Sequence, residues 1–386
     1  MAKIIDAPFR ASDGIALAAW GAIDAAAKRG LDYTPEIEAE TASAYAQVRD
    51  FIPLVEWPSY APLISGINRL KRERGAVVLA HNYMTSDIFF CVGDFQGDSL
   101  ALAREAARTP AKVIVQAGVH FMAETSKILS PEKVVLIPDM AAGCSLAASI
   151  TGADVRLIRQ KYPGLPVVTY VNTSAEVKAE SDMTCTSSNA VQVVEAIAAA
   201  WGVSRVIMIP DEFLARNVAA MTGIEIIAWH GRCEVHERFS PADIADLRAA
   251  YPGLVVLAHP ECAPDVMAAA DFAGSTAALS HYVEAHHPAR VVLLTECSMS
   301  DNVAAAHPGT QFVRPCKLCP HMKRITVAGI YDSLLHMRHE VHVEANIQKR
   351  AKAAIDAMLA LPRPLAPLDF QTGLAPASVQ LASVRS

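Results

Sequence analysis

The chain repeats itself three times, and this constrains its fold more than any other feature. The segments AVVLAHNY (76–83), PVVTYVN (166–172) and LVVLAHPE (254–261) are short β-branched runs that end in polar groups. His81, Tyr170 and His259 stand 89 and 89 residues apart. Each run is followed by a turn and a helix-like stretch, opening on Gly97-Asp98-Ser99, Thr186-Ser187-Ser188 and Gly274-Ser275-Thr276. A second apolar strand then begins near Val113, Val206 and Val291, and a third leads to Cys144, Cys233 and Cys319. Those cysteines are 89 and 86 residues apart.

Apolar strands alternating with helices read as parallel sheet covered by helices. The expected fold is α/β: three pseudo-threefold-related α/β/α three-layer domains with short parallel sheets around a shared centre. The divisions drawn are an N-terminal helical extension (1–60), repeats at 61–162, 163–250 and 251–335, a closing helix (336–361) and a disordered tail (362–386). Within the extension, IALAAWGAIDAAAKR and PEIEAETASAYAQV both read as helical.

Composition narrows the class. The 386 residues are 52% hydrophobic and 19% charged, with a formal net charge of −6. This balance fits a soluble, tightly packed globular protein and argues against a nucleic-acid surface. No apolar stretch approaches the roughly 18 residues that would span a bilayer, and the first residues lack a signal-peptide pattern. The expected location is cytoplasmic, where the eight cysteines stay reduced as thiols or metal ligands.

In such sheets ligands bind beyond the carboxyl ends of the strands. His81, Asn82 and Tyr83, then Tyr170, Val171 and Asn172, then His259, Pro260 and Glu261 fall there. Ser99, Ser187 and Thr276 mark helix starts, where unpaired N–H groups and the helix dipole favour carboxylate or phosphate. The simpler role for each is an N-cap.

Three thiolates, one per repeat, would meet near the common axis. A structural zinc site normally has four protein ligands, whereas three suit a 4Fe–4S cluster with one iron left open as a Lewis acid. Cys91, Cys185 and Cys262 read as small buried hydrophobes. Cys316 lies in a C-x-x-C with Cys319 and is a candidate for a reversible disulfide with it; Cys297 is a weaker rival ligand.

The motifs LAHNYM, GDSLALAREA, GVHFMAETSKILSPEK, PDMAAGCSLA, TYVNTSAEVKAESDMTCTSSNA, GRCEVHERF, AHPEC, AGSTAAL and PCKLCPHMK resemble those of the quinolinate synthase family across about residues 60–345. The resemblance implies three α/β/α domains around one 4Fe–4S cluster per chain, with Cys144, Cys233 and Cys319 as ligands. It also implies condensation of iminosuccinate with dihydroxyacetone phosphate to quinolinate in NAD biosynthesis, with a functional link to an L-aspartate oxidase. Substrate contacts carried over are His81, Ser99, Tyr170, Val171, Asn172, Ser187, His259, Pro260, Glu261 and Thr276. The sequence departs from the family pattern at Val313, where some members have a further cysteine, and at Met84, where Gln is common.

The assigned roles follow. Glu261 is the general base, its pKa expected to rise on burial. Tyr83 and His81 shuttle protons, and His259 serves the ring-forming nitrogen. His236, three residues after Cys233, is a candidate for the same cavity. Two other readings stay open: another 4Fe–4S hydro-lyase, and a zinc-thiolate sensor.

Overall fold

A computed structural model describes residues 26–362, Phe370 and 379–382. Most of IALAAWGAIDAAAKR lies outside the described residues; PEIEAETASAYAQV is the helix Pro35–Val48.

The strands fall into three groups of four. The first holds β1 (Ala76–His81), β2 (Phe95–Gly97), β3 (Val113–Ala117) and β4 (Val134–Leu136). The second holds β5 (Val167–Tyr170), β6 (Met183–Cys185), β7 (Arg205–Ile209) and β8 (Glu225–Ala228). The third holds β9 (Val255–Ala258), β10 (Phe272–Ala273), β11 (Arg290–Leu294) and β12 (Gln311–Val313). Each group pairs in parallel in the same order: β2-β1-β3-β4, β6-β5-β7-β8 and β10-β9-β11-β12. A helix joins every successive pair of strands within a group, as parallel pairing requires. The central strands β3 and β5 are buried along their whole length, and both open on β-branched residues.

The repeat thus has four strands where the sequence showed three. The missing ones, β2, β6 and β10, are only two or three residues long. A stretch so short carries no periodicity to recognise.

Each of these short edge strands follows an aspartate that anchors it. Asp94, Asp182 and Asp271 accept the backbone N–H of Val78, Val167 and Val256 at 2.8, 2.7 and 2.7 Å. The same carboxylates pair with Lys71, Arg159 and Arg248 at 2.8, 2.7 and 3.0 Å. Those cations sit on the helices Trp57–Arg74, Gly152–Lys161 and Pro241–Ala250, each of which directly precedes its sheet. The boundaries expected at 162/163 and 250/251 fall between these helices and the first strands of the sheets they contact.

The C-terminal elements tie the units together. Val327–His336 packs against Trp57–Arg74, and Ala345–Leu359 packs against Ala175–Ala179 and β6. One apolar core cluster draws residues from all three units. Of the tail expected to lack order from Pro362, most lies outside the described residues; within them β13 (Gln380–Leu381) adds in parallel to β8, and Phe370 is buried.

Candidate active site

The carboxyl ends of β1, β5 and β9 open onto one cavity. His81 and Tyr83 from the first unit, Tyr170, Val171 and Asn172 from the second, and His259 and Glu261 from the third all line it. So do Ser99, Ser187 and Thr276. Pro260 does not: its carbonyl accepts from Asn217 at 2.8 Å. The strand-end loops hold their own histidines, because the N–H of Tyr83 donates to His81 Nδ1 at 3.2 Å and that of Glu261 to His259 Nδ1 at 3.4 Å.

The helix-start hydroxyls are not the caps they resembled. Asp98 and Ser275 cap their helices, accepting from Ala101 and Ala278. Ser99 and Thr276 are the first helical residues, and Ser187 lies two positions before Asn189, the N-cap of Ala190–Trp201. Ser99, Ser187 and Thr276 instead line the cavity. Thr276 Oγ1 also accepts from Asn82 of the first unit at 2.9 Å.

The cysteines line the same space, and each sits in the same backbone cradle. The nearby backbone N–H groups favour the thiolate at each: those of Leu146 and Ala147 at Cys144, of Val235 and His236 at Cys233, and of His321 and Met322 at Cys319. In each case the donors are two and three residues onward, at the start of a short helical turn. Gly231 lets the second loop approach: a Cβ there would lie 2.4 Å from the Pro210 carbonyl.

Burial nevertheless pushes the Cys144 thiol up to about 12, with Glu261 and Cys319 adding to the rise. Cys233 is raised well above its ordinary value by burial, then by Glu261 and Cys144. Cys319 is raised by burial first and by Glu296 and Glu234 after the opposing N–H groups. Desolvation and mutual repulsion oppose ionisation of these half-buried thiols, an opposition that a bound cation would offset. This donor set, three sulfurs with N–H groups aimed at them, fits an iron–sulfur cluster.

The rival cysteines are accounted for. Cys297 and Cys316 form a disulfide, with Cα atoms 5.0 Å apart, so the pairing of Cys316 with Cys319 is corrected and Cys297 is spoken for. Cys91, Cys185 and Cys262 are buried thiols that do not line the cavity.

Glu261 is the hub of the polar wall. Tyr170 donates to its Oε1 at 2.5 Å, and His236 Nδ1 lies 3.0 Å from its Oε2 and 3.1 Å from Cys233 Sγ. The His236 ring stacks on His259, with centroids 4.7 Å apart. The ligand atoms of Cys233, His236 and Glu261 lie within 4.8 Å of one another. The expected rise of the Glu261 pKa is corrected. Burial does push it up, but the charge and hydrogen bond of His236, with His259 and Tyr170, outweigh burial and hold the carboxyl well below the usual range. Burial drives His81 down to about 4 and His259 to about 3, so both imidazoles are neutral. Burial, reinforced by Glu261, keeps the Tyr83 phenol protonated.

Sequence reasoning missed Thr295 and Glu296. Thr295 Oγ1 lies 2.6 Å from the Tyr83 hydroxyl and 3.0 Å from His236 Nε2. Glu296, fully buried, accepts from the N–H of Cys319 at 3.3 Å and pairs with Lys323 at 3.0 Å. Only the strand position of β11 signalled them.

The profile described as quinolinate synthetase A protein matches residues 65–360. The chain belongs to the quinolinate synthetase A family. It is 64% identical over 338 residues to a quinolinate synthase of Caulobacter vibrioides, covering 88% of this chain and 92% of that protein. It is 63% identical over 325 residues to quinolinate synthase 2 of Mesorhizobium japonicum, covering 84% of this chain and 99% of that one. A quinolinate synthase of Xylella fastidiosa is 64% identical over 298 residues, 77% of this chain and 87% of its own length. The chain is accordingly an enzyme of quinolinate synthesis. Among the described residues no helix is long and apolar enough to cross a membrane.

Proposed function

We propose that this cavity condenses iminosuccinate with dihydroxyacetone phosphate, yielding quinolinate, phosphate and two waters, with one 4Fe–4S cluster held by Cys144, Cys233 and Cys319. The observation that carries the reading is that three sulfurs, one from each unit, line the same cavity as the strand-end acids and bases. When bound, the cluster supplies an open iron that polarises a C–OH bond as a Lewis acid.

The remaining chemistry falls to side chains. Glu261, an ionised carboxylate, takes the proton released as the substrates join. Tyr83, which stays protonated, gives a proton to a departing oxygen, and His81 beside it, with ring centroids 4.7 Å apart, relays the next. His259, a neutral imidazole, orients the nitrogen that closes the ring. Ser99, Asn172, Ser187 and Thr276 hold the substrate carboxylates, and the cavity walls exclude water from the imine. The imine would come from an L-aspartate oxidase, and the enzyme would work in the cytoplasm.

The test is metal and product analysis of anaerobically reconstituted protein. The expected result is ~4 iron and ~4 sulfide per chain, with quinolinate formed only when both substrates are present. One zinc per chain without sulfide, held at Cys233, His236 and Glu261, would replace this reading. A loaded cluster that dehydrates another hydroxy acid but makes no quinolinate would overturn the substrate assignment.

A further inference from the structure

Among the described side chains that do not line the cavity, Thr295 alone is hydrogen-bonded to both Tyr83 and His236. It stands directly after β11, is 2% exposed, and precedes the helix N-cap Glu296. The corresponding positions after β3 and β7 are Gly118 and Pro210, so the chain departs from its own repeat here and places a hydroxyl only in the third unit. Its partners come from the other two units.

A threonine hydroxyl has one proton and here has two partners. It can donate to only one of them at a time. Where it donates to His236 Nε2, the Tyr83 O–H donates to Thr295 and a phenol lone pair faces the cavity; where it accepts from Nε2, it donates to Tyr83, whose own O–H is free to swing into the cavity. The direction of the Tyr83 proton is thus tied to the one hydroxyl that the phenol shares with His236.

We propose that Thr295 is a positioning residue whose hydroxyl, shared between Tyr83 and His236, sets which way the Tyr83 O–H points at the substrate. The inference rests on the proton-donating role proposed for Tyr83. A substitution at Thr295 should therefore change turnover and leave substrate affinity alone, because Thr295 does not itself reach the cavity.

The experiment compares Thr295→Val, nearly equal in volume but without a hydroxyl, with Thr295→Ser, each as anaerobically reconstituted holoenzyme. Thermal melts and cluster absorbance, both expected to match the parent, show whether fold and loading survive. The expected result is a fall in kcat of about 10- to 100-fold for Thr295→Val with KM within about twofold, and kcat within about threefold for Thr295→Ser. In a Tyr83→Phe background Thr295→Val should cause no further loss, since it acts through that phenol. Normal kcat in Thr295→Val, an equal loss in Thr295→Ser, or losses that multiply with Tyr83→Phe would each overturn the proposal. Should Thr295→Val not fold, Thr295→Ala is read the same way. Normal kcat in Tyr83→Phe would instead remove the role of Tyr83 itself.

Discussion

Tyr170 and Glu261 are 91 positions apart in the chain, yet the phenol of one donates to the carboxylate of the other at 2.5 Å. The contact crosses from the second unit to the third. Removing the negative charge at its centre while keeping the shape separates catalysis from assembly. Glu261→Gln should retain iron and sulfide and lower kcat by about 10²- to 10⁴-fold, as measured by quinolinate release. Near-normal turnover would withdraw Glu261 as the base.

The cysteines divide cleanly. Cys144→Ser, Cys233→Ser and Cys319→Ser should each lose the cluster absorbance, because two sulfurs cannot hold it. Cys297→Ser and Cys316→Ser should keep both absorbance and product. Peptide mapping of oxidised protein without reductant should find 297 linked to 316; a 316–319 link would contradict the disulfide geometry.

Lys178 is wholly buried, its ammonium donating to the carbonyls of Val171 and Thr173 beneath the substrate loop. Burial lowers its pKa from 10.5 to about 8, against the pull of Glu124 and Cys144. Between those values the unfolded chain binds more protons, so stability rises with pH across the window and is lost again as pH falls through about 8. Cluster-free protein should gain about 3 kcal/mol relative to Lys178→Met between pH ~7 and ~11, read from urea midpoints. A difference independent of pH would show that the lysine titrates normally.

The aspartate anchors make a prediction about stability alone. Asp94→Ala, Asp182→Ala and Asp271→Ala each leave a strand N–H without its acceptor. Each should cost about 1–2 kcal/mol and lower Tm by several degrees, with activity per folded molecule unchanged. Loss of cluster in any of them would mean that the anchors also position the site.

The repeat was readable because its long strands and polar strand ends recur in register: His81, Tyr170 and His259, or the three cysteines. Edge strands of two or three residues were not, since their existence depends on pairing supplied by a neighbour. The aspartates that secure them recur at similar intervals, but a lone Asp before a turn is too common to stand out. Thr295 was hard to single out for a different reason: it has a strand-end position after β11, but its partners lie in other units. The Glu261 pKa was misjudged because the reading weighed burial and not the two histidines that fold over the carboxylate.

The shared cavity has a consequence for synthesis of the protein. The thiols belong to segments that leave the ribosome in succession, and the last of them lies in the third unit. A nascent chain holding only the first two units would present an incomplete donor set with its sulfurs open to oxygen. On the proposed assignment of the three ligands, a cluster could be completed only after Cys319 has emerged, and an agent that shields Cys144 and Cys233 until then would raise the yield of working enzyme.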